Sequence, residues 1–577
     1  MNRPAPKPRR PARKRAAGAG LAPAPTPFPW PDLAWTDAAV LAAVAAVYSW
    51  ICFRNIRQPG LYGDEAWAAV AAARFVWGAP ADPAAHHKLV VFGHALPMML
   101  NPYTGPVKAW ILISSFALFG VSVPVIRATS GAVGLLGIGA LYFLARSEFG
   151  RLAAAGVALL AASDLSLALA LRCDWGPIDF AFFARVASML LLLTWRKNRG
   201  HPAVLFAGAL LLGLGLCYKF DFLGTIVSIA AAFAIGYGRG LKLRLREAAV
   251  TAGGFLLGSW PILLYNVVYP GATLRAGQEI ASSARSVGIF EAIAHRLGIL
   301  RDLMGGVIGE FFLGEHFQAG SFLGGSVERA ALFFVPVLAA VPFFVKALSS
   351  WRRPVAYFTA VFLFLLLAQA AVPMAIGPHH VISIYPLPHV LLGAGLAALW
   401  LAGDSRRAAA RWLFRVAAVA GFTLLFFSNL ALAQAFHRDL AARGGDRYWS
   451  ESIDDLAEVL QKDHRDDVVE LLDWGLEQPL VILAGDRLHL HPLYLQVQAD
   501  PRSEEWLATL VRRPQRVFVR RAEPFAFDPD VHQRFDAALA RSQDLRVEER
   551  RFFQKDGQLS FTIVTIRSGE SARRRNG

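Results

Sequence analysis

The chain has 577 residues, of which 55% are hydrophobic and 18% are charged. A mean hydropathy of +0.40 is too high for a soluble protein of this length, and the charged fraction is too large for membrane spans alone. The net charge is +16, but residues 1–434 hold 37 Lys and Arg against 18 Asp and Glu, whereas residues 435–577 hold 22 against 25. Basic residues concentrated in the apolar part favour the cytoplasmic loops of a membrane protein over a nucleic-acid-binding surface. The three cysteines, Cys52, Cys173 and Cys217, are too few for a disulfide framework.

The chain begins with a basic, Pro/Ala-rich tail, residues 1–37, which has too few large apolar residues to form a core. Such a composition predicts a disordered cytoplasmic tail. The first apolar run, residues 38–53, follows it. Tyr48, Trp50 and Arg54 stand where a small-residue cleavage site would lie, so the run is interpreted as an uncleaved first membrane span.

Ten further apolar runs of about the length that a bilayer requires follow the first one. Together they predict eleven transmembrane helices within residues 38–434, near 38–53, 122–145, 152–170, 177–195, 202–218, 222–238, 248–268, 330–346, 354–374, 381–402 and 412–434. The short loops on one side carry nearly all of the Lys and Arg, so the positive-inside rule places the N-terminus in the cytoplasm. An odd number of spans then places residues 435–577 outside, where alternating helix and strand signals predict a small α/β domain.

Two long loops, residues 55–121 and 269–329, are predicted on the outer side. In the first, the apolar stretch Val107 to Phe119 is too short to cross and is predicted to lie in or re-enter the outer interface. In the second, apolar residues from Ile289 to Met304 recur at helical spacing, which predicts an amphipathic helix on the membrane surface. That helix is either a lid or a helix packed on the bundle without a gating role.

Two adjacent carboxylates, Asp64 and Glu65, follow the first span in the first outer loop. Charged groups at a membrane surface are costly unless they have a role. Asp64 is either the N-cap of a helix with Glu65 in its first turn, or a general base that takes a proton from an acceptor hydroxyl. Both readings stay open at this point.

The other outer loops carry further ionisable groups. A bundle that brings cations together around one phosphate, with acids beside it, suits an electrophile that has an anionic leaving group. The candidate phosphate-binding residues are Lys108, Arg172, Lys219, His379 and His380, and the acids are Asp174, Asp179 and Asp221. Helix capping and a plain ion pair are the competing explanations for Asp174, Lys219 and Asp221, and mid-span Arg185 is given a structural role. No cofactor is assigned, and a divalent metal is left open, with His86 and His87 as weak candidate ligands because adjacent histidines lack the usual helical ligand spacing.

The position of Asp64-Glu65 after the first span resembles the acidic motif of the C-type (GT-C) membrane glycosyltransferases. Arg172-Cys173-Asp174 is similar to the Arg, any residue, Asp motif in the second outer loop of the bacterial protein-mannosyltransferase-like and aminoarabinose-transferase-like branch. A longer stretch of the chain looks like the juxtamembrane helix and second span of that branch. It comprises Tyr103-Thr104-Gly105-Pro106-Val107-Lys108-Ala109-Trp110, Phe119-Gly120-Val121-Ser122, Arg127 and Arg146-Ser147-Glu148-Phe149-Gly150-Arg151. The resemblance extends over roughly residues 50–400.

The resemblance implies a polytopic α-helical membrane protein of GT-C type, with about eleven transmembrane helices and a small C-terminal α/β extracytoplasmic domain. It implies transfer of a hexosyl or pentosyl group, usually with inversion, from a polyprenyl-phosphate donor to a hydroxyl of a lipid, glycan or protein, as in lipopolysaccharide or protein glycosylation of the cell envelope. The location implied is the outer face of the bacterial inner membrane. By position, Asp64 resembles the catalytic base, Glu65 and Asp174 resemble supporting acids, and Asp221 and Arg127 are assigned supporting roles.

Two other classes of protein compete with an enzyme. A transporter or lipid-linked sugar flippase also gathers charges in a bundle, but it is expected to show inverted repeats with helices broken near the middle of the membrane, and the sequence shows no such duplication. A structural or assembly protein would have no use for the outer acids.

Overall fold

The structure, a computed structural model, describes residues 33–79, 87–198, 201–238, 244–283, 287–321, 323–372, 376–405, 408–542 and 544–568. Residues 1–32, which include most of the predicted tail, lie outside these ranges, as does His86. Some basic residues of the predicted cytoplasmic loops, among them Arg199, Arg239 and Arg406, also lie outside them.

The described residues up to 443 are mostly helical. Its α-helices are α1 (Trp35–Phe53), α2 (Gly63–Trp77), α3 (Val107–Phe119), α4 (Val123–Phe149), α5 (Arg151–Ser163), α6 (Leu165–Cys173), α7 (Asp179–Asn198), α8 (Pro202–Tyr218), α9 (Phe222–Tyr237), α10 (Leu245–Val268), α11 (Ala272–Ser283), α12 (Ile289–Met304), α13 (Val307–Leu313), α14 (Leu323–Phe344), α15 (Arg352–Ala370), α16 (Pro378–Val381), α17 (Leu387–Ala402) and α18 (Ala408–Arg443). Each of the eleven apolar runs lies in one of these helices or in a bent pair of them.

Within the described ranges, six helices are long and apolar enough to cross a membrane, or eight if each of two bent pairs is one span. The other three predicted runs form α7, α8 and α9. With 17 and 16 residues, α8 and α9 are somewhat shorter than the roughly 20 residues of a straight span, and α7 carries Arg185 in its interior. The chain is thus a multi-pass helical membrane protein.

One bent pair, α5 and α6, turns by 64° at Asp164. Asp164 is extended, and its carboxylate accepts the Leu167 N–H at 2.7 Å, so it caps a new helix start at a point where the chain could have continued. His389 Nε2 lies 3.0 Å from the same carboxylate. The second bent pair, α16 and α17, contains this histidine and turns by 42°.

Glycines allow α8 and α10 to pack backbone against backbone. A Cβ atom built on Gly213 would lie 2.3 Å from the carbonyl oxygen of Phe255, and one built on Gly258 would lie 2.3 Å from that of Leu210. Small residues permit this close approach of membrane helices. Because α8 ends at Tyr218, its packing also fixes the position of Lys219, which follows directly.

The first long outer loop contains α2, a two-stranded antiparallel hairpin and α3. The hairpin strands, β1 (His87–Val91) and β2 (His94–Met99), were not expected from the sequence. The helix expected at Val107 to Phe119 is confirmed with the same bounds, as α3. In the second long loop, α12 confirms the helix expected there. Arg296 on this helix donates to the carbonyl oxygens of Gln369, at the end of α15, and of Val372, just after it. This helix therefore packs on the bundle.

The C-terminal region contains a five-stranded mixed sheet and five α-helices within the described residues. Its elements are α19 (Ser452–Asp463), β3 (Val468–Leu471), α20 (Glu477–Ala484), β4 (His489–His491), α21 (Leu493–Ala499), α22 (Ser503–Leu510), β5 (Arg516–Arg521), α23 (Pro529–Ala540), β6 (Leu545–Phe553) and β7 (Leu559–Ser568). The strand order is β4-β3-β5-β7-β6, with β3 parallel to β4 and β5 and the remaining pairs antiparallel. The expected α/β pattern is confirmed, and β6 and β7 form a hairpin around Asp556-Gly557.

The C-terminal domain packs directly on the first outer loop. A Cβ atom on Gly63 would lie 2.9 Å from the Cα of Gly475, so the start of α2 and the loop after β3 touch through their backbones. Arg74 near the end of α2 forms two hydrogen bonds, 3.1 and 3.2 Å long, with the carboxylate of Asp486. These contacts fix α2 against the domain at both of its ends.

Candidate active site

Asp64 is the second residue of α2, and the N-cap position belongs to Tyr62, whose side chain makes no capping bond. The carboxylate of Asp64 lies in the first turn, where the helix dipole favours negative charge. Asp64 is half-buried. Burial raises its pKa to about 6, with Asp174 acting in the same direction and Lys219 and a hydrogen bond with Trp175 acting against it. A carboxyl group with this pKa is mostly ionised at neutral pH and basic enough to accept a proton.

Glu65, the neighbour of Asp64, points elsewhere. Its two carboxylate oxygens accept hydrogen bonds of 2.6 and 2.8 Å from Arg127, and both side chains are fully buried. Arg127 also donates to the carbonyl oxygens of Ile56, Pro59 and Gly60. Glu65 and Arg127, which the sequence predicts in separate supporting roles, therefore pair with each other and hold the segment that leads into α2.

Asp174 is the centre of a buried polar cluster. It ends α6 in the left-handed conformation, with φ of 45°, which is strained for a residue other than glycine. Its carboxylate forms an ion pair with Lys108 and accepts the N–H of Asp179 at 2.8 Å. The Tyr218 hydroxyl lies 3.0 Å from Asp174 Oδ2 and also bonds Asp179 Oδ1. The two carboxylates and the Tyr218 hydroxyl thus form one buried polar network with Lys108.

Arg172 is fully buried and bonds to backbone rather than to the site. It donates to the carbonyl oxygens of Cys52, Arg54 and Gln58 at 2.8 to 3.4 Å. The bonds hold the end of α1 and the segment that follows it. Arg172 thus supports the same part of the first outer loop that Arg127 supports.

Lys219 lies where the first outer loop meets the connection between α8 and α9. Thr104 and Lys219 form a β-bridge. Lys219 Nζ lies 3.2 Å from the carbonyl oxygen of Gly176 and 3.3 Å from Asp221 Oδ2, and its side chain is 11% exposed. Asp221 in turn lies 4.0 Å from His380 Nδ1. The structure therefore brings Lys219, Asp221 and His380 together, next to Asp64.

A small cleft extends from this group into the bundle. Its lining includes Gly176, Asp221, His379, His380 and Arg185. The ring of His379 stacks on Trp175 with centroids 4.8 Å apart. The Arg185 side chain donates to the Tyr385 carbonyl oxygen at 2.6 Å and contacts Thr225, and among the described residues it has no ion pair. The structural role of Arg185 stays a prediction, and its place in the lining of this cleft could not be predicted from the sequence.

Aromatic side chains enclose Asp64 on the side of the C-terminal domain. Tyr62 has ring centroid distances of 4.7 Å to Trp449 and 6.0 Å to Trp474, and Trp175 is 6.4 Å away. Tyr448 and Phe527 stack next to them at 4.4 Å. No motif in the sequence identified these residues. They come from segments more than 350 residues apart in sequence number, Tyr62 at one end and Trp449 and Trp474 at the other.

The two weak metal candidates are His86 and His87. His87 begins β1, and His86 is outside the described ranges. Among the described residues, no group of three or more His, Cys, Asp or Glu side chains is arranged to hold a metal ion.

Comparisons with known proteins agree with this architecture. Residues 102–265 match the family model described as dolichyl-phosphate-mannose-protein mannosyltransferase. Among solved structures, ArnT from Cupriavidus metallidurans, crystallised with undecaprenyl phosphate, superposes with a TM-score of 0.56 at 15% identity, over 91% of this chain and 97% of that one. The chain has the GT-C fold. This confirms the predicted resemblance to the GT-C membrane glycosyltransferases.

A second GT-C relative is similar over most of the chain as well. The archaeal oligosaccharyltransferase AglB from Archaeoglobus fulgidus, in complex with an inhibitory peptide and a dolichol-phosphate, has a TM-score of 0.52 at 14% identity, covering 91% of this GT-C protein and 74% of its own chain. Comparison with the curated proteins gives no match. At these identities the structural likeness concerns the fold.

Proposed function

We propose that this GT-C protein transfers a sugar from a polyprenyl-phosphate-linked donor to a hydroxyl of a lipid, glycan or protein acceptor. The observation that carries the proposal is the half-buried Asp64, whose pKa is raised to about 6, beside the cationic group at Lys219 in a GT-C fold. The solved relatives bind undecaprenyl phosphate and dolichol-phosphate, which supports a donor of this class. The same combination of one base and one electropositive site is what displacement of a lipid phosphate requires.

In the proposed reaction the acceptor hydroxyl oxygen forms a bond to the anomeric carbon. The bond between that carbon and the phosphate oxygen breaks, and its electron pair leaves with the polyprenyl phosphate. Asp64 takes the hydroxyl proton as the new bond forms. A single displacement of this kind inverts the configuration of the anomeric carbon, and a positioned base contributes about two to four orders of magnitude to its rate.

We assign the leaving phosphate to the cleft beside Lys219. Lys219, His379 and His380 line or adjoin it, and Arg185 adds a guanidinium from within the bundle. Two other candidates are engaged elsewhere, because Lys108 pairs with Asp174 and Arg172 donates to backbone carbonyl groups. Glu65, Asp174, Arg127 and Arg172 are then positioning residues that hold the loops around Asp64.

The proposed orientation places the N-terminus and the basic loops in the cytoplasm of a bacterial inner membrane, and the site and the C-terminal domain outside. The charged contacts of the bundle support it. Near the N-terminal end of α1, Asp37 forms ion pairs with Arg146 and Arg151. Asp64, in contrast, comes after the C-terminal end of α1, and Lys219 directly follows the C-terminal end of α8. Basic residues near one face are what the positive-inside rule associates with the cytoplasm.

A second candidate function, movement of a lipid-linked sugar across the bilayer, is favoured by one observation. The two bent helix pairs meet at the buried contact between Asp164 and His389, and broken helices with ionisable residues near mid-membrane are typical of transporters. The alternative makes a separate prediction, which is movement of labelled donor lipid between leaflets of liposomes that contain no acceptor.

The test uses the purified full chain in liposomes with radiolabelled polyprenyl-phosphate sugars, one sugar at a time, and envelope extracts as the acceptor pool. We expect acceptor-dependent label transfer that is lost in Asp64→Asn. The matched control is Glu291→Gln, which removes an exposed acid from the first turn of another loop helix, α12. Transfer by Asp64→Asn at the control rate, or lipid movement without any transfer, would contradict the enzymatic proposal.

A further inference from the structure

Arg521, the last residue of β5, is a buried cation that forms no ion pair with any residue that the structure describes. It is 3% exposed. Among the described residues its guanidinium has neither an ion pair nor a hydrogen bond, and Nε is buried without a partner. Instead, the guanidinium carbon faces three rings, with distances of 5.2 Å to the centroid of Tyr448, 5.9 Å to Phe527 and 5.3 Å to Phe561.

The carboxylate that interacts with Arg521 over a longer distance is already engaged. Asp473 accepts hydrogen bonds from the backbone N–H groups of Arg521 and Phe527, at 2.7 and 3.2 Å, and from the ring of His532 at 2.8 Å. These bonds hold the loop after β3 in place. They leave the five N–H donors of the Arg521 guanidinium unused by that acid.

Arg127 and Arg520 differ from Arg521, because the guanidinium of each has an acidic partner. Arg127 bonds a carboxylate and three carbonyl groups, and Arg520, the neighbour of Arg521, pairs with Asp536 and Glu549 on the other face of β5. Burial of an uncompensated charge is costly. Contacts with aromatic faces recover part of that cost but satisfy no N–H group. A planar guanidinium in this state is suited to bind a carboxylate or phosphate with two hydrogen bonds.

The position of Arg521 relates it to the proposed base. A Cβ atom on Gly475 would lie 3.9 Å from an Nη atom of Arg521, and Gly475 itself touches Gly63 at the start of α2. Tyr62, which precedes Gly63, also packs against Tyr448, one of the rings that Arg521 faces, with ring centroids 6.3 Å apart. Arg521 therefore lies close to the segment that begins α2 and carries Asp64.

We infer that Arg521 binds an anionic group of the acceptor, a carboxylate or a phosphate, and so selects acceptors that carry such a group near the attacking hydroxyl. The inference rests on the proposed function, and it adds an acceptor-side anion site, supplied by the C-terminal domain, to the donor-side site at Lys219. The acceptor hydroxyl then lies between the two, at Asp64. Two separate sites also explain why the cations are divided between the bundle and the domain.

The test measures binding of inorganic phosphate to the full chain in detergent by ³¹P NMR line broadening, with no sugar transfer involved. The wild-type protein is expected to show two sites. Arg521→Gln should weaken one of them by at least about tenfold, the usual worth of charge-assisted hydrogen bonds, and Arg521→Lys should weaken it less. The matched control Arg520→Gln changes the adjacent arginine of the same strand and should bind as the wild type. Acetate that displaces phosphate from the Arg521 site at equal concentration identifies a carboxylate as the preferred group, and failure to do so identifies a phosphate.

The variants separate this inference from the proposed function. Phosphate binding that is unchanged in Arg521→Gln but weakened in Lys219→Ala overturns the acceptor-side site and leaves the donor-side proposal standing. The reverse pattern keeps the anion site and removes the donor assignment. If Arg521→Gln does not fold, Arg521→Lys decides the matter, since wild-type binding by the lysine variant would overturn recognition by a guanidinium.

Discussion

Replacement of Asp64 by Asn isolates the proton-accepting step from the fold. Asp64 is the second residue of α2, not its cap, and Asn retains an oxygen that can accept the bond from Trp175. Loss of a negative charge in a first helical turn costs about 0.3 to 1 kcal/mol. Removal of a charged carboxylate from a half-buried position should stabilise the protein and so offset part of this cost. We therefore expect the melting temperature of Asp64→Asn to stay near that of the wild type.

The effect on catalysis should be much larger than the effect on stability. Asn cannot accept the hydroxyl proton, so the transfer rate should fall by about two to four orders of magnitude while donor binding persists. The assay is the initial rate of label transfer at saturating donor, measured beside thermal unfolding, with Glu291→Gln as the control. An Asp64→Asn protein with wild-type transfer would refute the assignment and redirect the search for the base to Asp174.

The raised pKa of Asp64 also fixes the sign of two pH dependences. The base works only when ionised, so wild-type kcat/KM should rise as the pH increases through about 6 and then level off. Since the pKa of Asp64 in the folded protein lies above the usual value of 3.8, this residue favours folding at low pH, and that contribution to stability is lost as the pH rises through about 6. The variant Asp64→Asn should not show this pH-dependent loss of stability. A wild-type rate that is constant across this range would contradict the assignment.

Three other predictions concern the donor, the loop and the topology. Lys219→Ala should raise the donor KM without lowering the protein level, whereas Lys88→Ala, which changes an exposed lysine of β1, should leave KM unchanged; equal KM values would remove Lys219 from the phosphate site. Glu65→Gln should destabilise the protein by about 3 to 5 kcal/mol, because it leaves buried Arg127 without its carboxylate, and thermal unfolding with no loss would show that the pair is dispensable. A reporter that is active only outside the cytoplasm should work when fused after Gly377 and fail after Gly200, and the opposite pattern would invert the proposed orientation.

Much of the fold could be predicted because its signals are local. Apolar runs indicated every bundle helix, and α3 was predicted with its observed bounds because its apolar run stops at Gly120. The helix and strand periodicity of the C-terminal region likewise predicted an α/β domain. The β1–β2 hairpin was not, since its turn, Phe92-Gly93, lacks the Asn-Gly or Asp-Gly pattern that marks most tight hairpins.

The division of labour among the charged residues could not be predicted. Lys108, Arg172 and Lys219 all lie in or next to the terminal turn of a helix, on the side that is predicted to be outside. The sequence therefore predicts one phosphate site for all three. Their partners are decided by contacts across long sequence separations. Lys108 meets Asp174, Arg172 meets carbonyl groups of the segment after α1, and Lys219 alone of the three adjoins the cleft. Sequence periodicity indicates on which face of a helix a residue lies, but it does not indicate which neighbouring residue pairs with its charge.

The contact between Gly63 and Gly475 has a consequence for domain exchange. Because the two backbones touch, removal or replacement of the C-terminal domain is expected to disturb the start of α2. Truncation at Ala435 would remove Trp449 and Trp474, the aromatic neighbours of Tyr62, and expose the segment that carries Asp64. A graft from another GT-C protein would have to bring a loop that allows the same approach to α2. Acceptor preference and base position are therefore expected to change together in such chimaeras.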